Sequence, residues 1–135
     1  MSTNYFDTFI EVAEDCPLEI AEVPPLKGKA KSVALLQYEM ISQNPYKYTQ
    51  DDILFEIYAQ RKSIVDRDKA KEREAFFSKG QACLRASSLG KRYGWGVHNN
   101  ADGKVALYAM ESKEYIDFVD NPDINHLKAM RSKRG

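Results

Sequence analysis

The chain is poor in the features that identify most enzymes. Its 135 residues include only two cysteines, Cys16 and Cys83, and two histidines, His98 and His126. These four lie far apart with no paired spacing, so a zinc ribbon, a CxxC redox centre and a disulfide scaffold are excluded, and no metal is expected. There is no HExxH, GxxxxGK[ST] or GxSxG. Gly94-Trp95-Gly96 lacks the third glycine and the following helix of a dinucleotide fingerprint, so no nucleotide cofactor is expected from a motif. No apolar run approaches the roughly 20 residues that span a bilayer, which argues against a membrane protein. The start, MSTNYFDTF, lacks the basic and apolar regions of a secretion signal. A cytoplasmic protein with reduced thiols is expected.

The chain does have charge, unevenly placed. The formal net charge is zero, but Asp7, Glu11, Glu14, Asp15, Glu19 and Glu22 stand in the first 26 residues without one base. Lys79, Arg85, Lys91 and Arg92 follow one another without an intervening acid, and Lys128, Arg131, Lys133 and Arg134 close the chain. Mutual neutralisation of an acidic start and a basic end is the preferred reading, and an anion-binding face is the alternative.

The length fits one domain over residues 1–135. The segment from Tyr93 to His98 and that from Lys104 to Met110 flank Asn99-Asn100-Ala101-Asp102-Gly103, a pattern that predicts a central β-hairpin over about 93–110. A first strand is expected at Tyr5–Val12, a proline-rich loop with a short extended piece at Leu18–Val23, and helices at about Ser32–Gln43, from Thr49 onward, at Asp66–Phe77 and after Ser112. Asn44-Pro45 and Asn121-Pro122 stop two of them. His126–Arg131 completes the order as a last strand. The fold class is α+β, with a mainly antiparallel sheet and helices packed on one face.

The best functional candidate is the run from Arg85 to Trp95. Arg85, Lys91 and Arg92 can hold phosphate or carboxylate, Ser87 offers a hydroxyl, and Tyr93 and Trp95 can stack on a ring, with His98 nearby. The expected function is a small ligand-binding domain with an anion-recognising loop at 85–95. A small enzyme using Cys83, His98 or Asp15 in the same pocket is one alternative. The other is a module that meets a protein or nucleic acid. With no net charge, the long-range attraction that a polyanion requires is weak, so a small anionic ligand is preferred to nucleic acid.

The runs FIEVAEDCP, AEVPP, LQYEMI, NPYKYTQDDILF, FFSKGQACLRAS, KRYGWGVH and KAMRSKR, in that order, resemble a family of small bacterial proteins known only as a domain of unknown function. The resemblance covers nearly the whole chain and implies a single-domain bacterial cytosolic protein. It carries no activity, cofactor or catalytic residue.

Overall fold

The computed structural model describes residues 1–132. A four-stranded sheet is built from β1 (Thr8–Glu11), β4 (Trp95–Asn99), β5 (Val105–Ala109) and β6 (Asn125–Lys128), in the order β5-β4-β1-β6. β4 pairs antiparallel with both β5 and β1, whereas β6 lies parallel to β1. β2 (Leu26–Lys27) and β3 (Ala30–Lys31) form a separate small hairpin, closed at Gly28 with a φ of 61°. The class is α+β with a mostly antiparallel sheet.

The helices are α1 (Val33–Ser42), α2 (Gln50–Arg61), α3 (Lys69–Phe77), α4 (Ser88–Lys91) and α5 (Lys113–Asp120). Ser32 caps α1 by accepting the Leu35 N–H, and Ser112 caps α5 by accepting that of Tyr115. At α2, Thr49 and Asp52 form a reciprocal capping box. Asp51, in the same first turn, accepts from the Thr3 N–H and hydroxyl at 2.7 Å each and from the Ser2 hydroxyl at 2.8 Å. This carboxylate therefore ties the N-terminal segment to the start of α2.

Register determines which side of the sheet each residue serves. Ile10, Val97 and Leu107 pair across the strands and share one face, together with Thr8, Asn99 and Val105. Ile41 of α1 and Ile53 and Ile57 of α2 pack there with Leu84 and Leu89 to form the main core. Full burial of each such side chain is worth about 1.5–3 kcal/mol. Phe9, Gly96, His98 and Tyr108 point the other way, against Tyr115 and Phe118 of α5. Cover on one face holds for α1, α2 and α4, and α5 adds a second layer on the opposite face. The reason is topological: β5 and β6 run in the same direction, so their connection must cross over the sheet, and α5 is that crossover.

Several boundaries differ from expectation. β1 begins at Thr8 and not at Tyr5, because Asp7 takes a φ of 47° and breaks the extended run. The segment Leu18–Val23 forms no strand, and the extended pairing in this region falls at 26–31 instead. The third helix opens with a 3-10 turn at Asp66–Asp68, and Phe76 anchors α3 against Tyr58 and Phe55 at ring distances of 4.6 and 5.8 Å. The last strand ends at Lys128. The hairpin is as expected: Asn100 Oδ1 accepts from the Asp102 and Lys104 amides at 2.9 Å, and Gly103 takes a φ of 78°. No helix among the described residues is long and apolar enough to cross a membrane.

Candidate functional site

The run 85–95 is not a loop. Leu84–Ala86 makes a 3-10 turn and Ser88–Lys91 a single α-turn, with Ser87 between them as cap. These two turns pull the predicted residues in different directions. Arg85 donates from Nε to the Lys128 carbonyl at 3.0 Å, and its own carbonyl accepts the Met130 N–H, so it ties the 3-10 turn to the end of β6. Ser87 is buried, accepts the Leu89 N–H and donates to Gln37 Oε1 at 2.5 Å. Trp95 donates to the Glu22 carbonyl at 2.8 Å and packs on Tyr38, so it holds the proline-rich segment against β4 and α1. Lys91, half-buried, lines none of the depressions described below. Arg85, Lys91 and Arg92 thus do not share one anion site.

Arg92 and Tyr93 do come together, with different partners. They line a concave site of about 460 Å³ together with Lys27, Ala30, Lys31, Ser32, Val33, Ala34, Arg61 and Ser88. Four cations face this space and no carboxylate lines it. Lys31 is neutralised by Glu39 at 2.8 Å, whereas Lys27, Arg61 and Arg92 have no ion-pair partner among the described residues. The start of α1 borders the same space, and Ser32 takes up the Leu35 N–H there, so the positive end of that helix adds to the field.

Two further depressions adjoin the basic one. The first, about 300 Å³, is lined by Val33, Gln37, Leu54, Ile57, Tyr58, Arg61 and Lys62. The second, about 280 Å³, includes Val33, Gln37, Leu54, Cys83, Ser87 and Ser88. Val33 lines all three, so they lie side by side along α1, α2 and the turns at 84–91.

The candidate catalytic residues are dispersed. Cys83 meets the Tyr5 hydroxyl at 3.7 Å on the α1 side of the sheet. Burial raises the Tyr5 pKa, and Arg85 works against that rise. His98 lies on the α5 side, where Nδ1 bonds the Tyr46 hydroxyl at 2.8 Å, the Tyr46 hydroxyl bonds that of Tyr108 at 2.8 Å, and Phe118 stacks on the imidazole at 4.2 Å. Burial lowers the His98 pKa, with Asp7 opposing, and burial together with Tyr108 raises that of Tyr46. Asp15 accepts the Ser132 N–H at 3.0 Å beside the C-terminal segment. The sheet therefore separates Cys83 from His98, and Asp15 joins neither. Among the described residues no group of three or more His, Cys, Asp or Glu side chains could hold a metal ion.

Sequence reasoning passed over Lys27, Lys31, Arg61 and Gln37. Three lysines at 27, 29 and 31 were a visible signal, but their approach to Arg92 depends on the β2-β3 hairpin folding back beside α4. Arg61 and Gln37 carry no such local signal. A family model described as a family of unknown function (DUF6157) matches residues 1–135. No curated protein and no solved structure matches the chain.

Proposed function

Since the chain belongs to this family of unknown function, we propose its role from its own geometry: it is a bacterial cytoplasmic ligand-binding protein that holds a small anion at Lys27, Arg61 and Arg92. The observation that carries the reading is the convergence of three unpaired cations on one concave space that no carboxylate lines. Like charges brought together repel, by about 1 kcal/mol per pair at 4 Å in water and more in a partly shielded site, and a bound phosphate or carboxylate reverses the sign. Ser88 and Tyr93 add hydroxyls, and the first turn of α1 adds its dipole.

The dispersal of Cys83, His98 and Asp15 gives the enzyme alternative no shared pocket. A zero net charge gives the nucleic-acid alternative little long-range field.

The test is an NMR titration of the labelled protein with phosphate, small carboxylates and nucleotides, following the amides of Val33, Ala34, Arg61 and Arg92. Saturable shifts are expected, with Arg61→Ala and Arg92→Ala each weakening binding about tenfold, the equivalent of about 1.4 kcal/mol. Lys91→Ala should leave affinity unchanged. No saturable shift with any anion, or an affinity indifferent to both arginine substitutions, refutes the assignment.

A further inference from the structure

The β2-β3 hairpin forms one wall of the basic site through Lys27, Ala30 and Lys31, yet little ties it to the rest of the fold. Its strands are two residues each and pair only with one another. Every residue from Pro25 to Lys31 is exposed, so the hairpin buries no side chain in the core. Among the described residues, no hydrogen bond links 25–30 to another element. At the tip, a Cβ on Gly28 would meet nothing within 4 Å. The segment is fixed at its two ends instead. Before it, the Glu22 N–H donates to the Tyr93 carbonyl at 2.9 Å, Trp95 donates to the Glu22 carbonyl, and Pro24 is buried. After it, Lys31 Nζ meets the two Glu39 carboxylate oxygens at 2.8 and 3.1 Å, and Ser32 caps α1. A strap with firm ends and few bonds between them opens and closes locally at small cost.

Resting on the anion reading above, we infer that this hairpin is a lid that closes over a bound dianion of the phosphate or phosphate-monoester class, and not over a monocarboxylate. The charge it carries decides when. Lys27 has no ion-pair partner among the described residues and lines the same space as Arg61 and Arg92, so without a ligand the two arginines repel it. A monocarboxylate cancels one of the two arginine charges, and a net positive charge still opposes Lys27. An ionised phosphate carries close to two negative charges. It cancels both arginines and keeps oxygens free to accept from the Lys27 ammonium. The force on the hairpin then changes from repulsion to attraction, and the strap has the freedom to follow it. Lys27 thus becomes the third cation of the site only for a ligand of sufficient charge.

Water-exchange rates of the Gly28, Lys29 and Ala30 amides, measured by NMR on the full chain, test the lid. The three samples hold inorganic phosphate at saturation, acetate at the same concentration, or neither. Ionic strength is low and matched, and the pH is about 7.5, above the second phosphate pKa of about 6. Phosphate is expected to slow exchange at these amides about fivefold, and acetate to leave it unchanged. Lys27→Gln alters an exposed position; in this variant phosphate should still shift the Arg61 and Arg92 amides, through a weaker site, but should no longer slow the hairpin. If phosphate binds at those arginines without slowing the hairpin, or protects Lys27→Gln as well as the wild type, the lid is overturned and the anion site stands. Equal protection by acetate overturns the selection of a dianion. If phosphate gives no saturable shift at Arg61 or Arg92, the anion reading falls and the lid falls with it.

Discussion

Replacing Gln50 by methionine should be among the more damaging single substitutions in this protein. Gln50 and Asn99 are both fully buried. Gln50 Nε2 donates to Asn99 Oδ1 at 2.8 Å and its Oε1 accepts the Leu84 N–H at 3.0 Å, while Asn99 Nδ2 donates to the carbonyls of Thr8 and Val97. This pair joins the first turn of α2 to the sheet and to the 3-10 turn at 84–86. Methionine keeps the length and most of the volume, so little of the loss comes from a cavity. It orphans two buried groups, Asn99 Oδ1 and the Leu84 N–H, at about 1–3 kcal/mol each. A total loss of about 3 kcal/mol is expected, a large share of the roughly 5–15 kcal/mol typical of a domain. With an m-value of about 2 kcal/mol/M, the urea midpoint would fall by about 1.5 M. Combining Gln50→Met with Asn99→Leu should cost less than the two single losses added, because one orphan is then removed; the coupling is of order 1 kcal/mol. A single-variant loss below about 1 kcal/mol, or strict additivity in the double variant, would refute the argument that this network is essential because it is buried.

Other outcomes follow from the same contacts. Gly96→Ala would place a Cβ 2.6 Å from both Phe9 Cζ and Tyr115 Cε2, so a loss of about 1–3 kcal/mol is expected, and an unchanged thermal midpoint would contradict the packing on the α5 face. Burial lowers the pKa of His98, so the unfolded chain binds that proton more readily than the folded one. The stability due to neutral His98 is therefore complete above the ordinary value of 6.5 and is lost as pH falls from there through the lowered folded value. Urea titrations of His98→Gln should show a flatter pH dependence in that window, and an unaltered slope would exclude His98 as its source. Glu14 receives Arg131 and, at 3.3 Å, Lys128, all exposed, and both cations lower its pKa. Glu14→Gln should lower the melting temperature slightly in dilute buffer and not in high salt, because exposed pairs are screened; equal losses in both would rule out an ion-pair origin.

The Glu14 contacts also bear on the expected neutralisation of an acidic start by a basic end. Lys128 and Arg131 do reach Glu14, and Asp15 meets Ser132, while Lys133 and Arg134 lie outside the described residues.

Local order was legible in the amino-acid sequence. Ser32, Thr49 and Ser112 mark helix starts because a short side-chain oxygen can accept a free first-turn amide. Asn100 and Gly103 mark the hairpin because their backbone and side-chain preferences close it without help from the rest of the chain. The α+β class follows from the order of such elements. What tertiary structure alone decided is which residues meet. The alternation of β4 sends Trp95 and His98 to opposite faces of the sheet, so a run that looks like one cluster in sequence serves two separate layers. The crossover through α5 makes β6 parallel to β1, a choice that no local preference in 113–128 contains. The basic groove gathers Lys27, Arg61 and Arg92 from a hairpin, the end of one helix and the end of another. Gln37, an ordinary helical residue in the sequence, gains its role as an acceptor only when the Ser87 hydroxyl reaches its amide oxygen. Pairwise proximity between distant segments depends on how the apolar faces of α1 and α2 seat on the sheet, and that packing is a property of the whole chain, with no residue window encoding it.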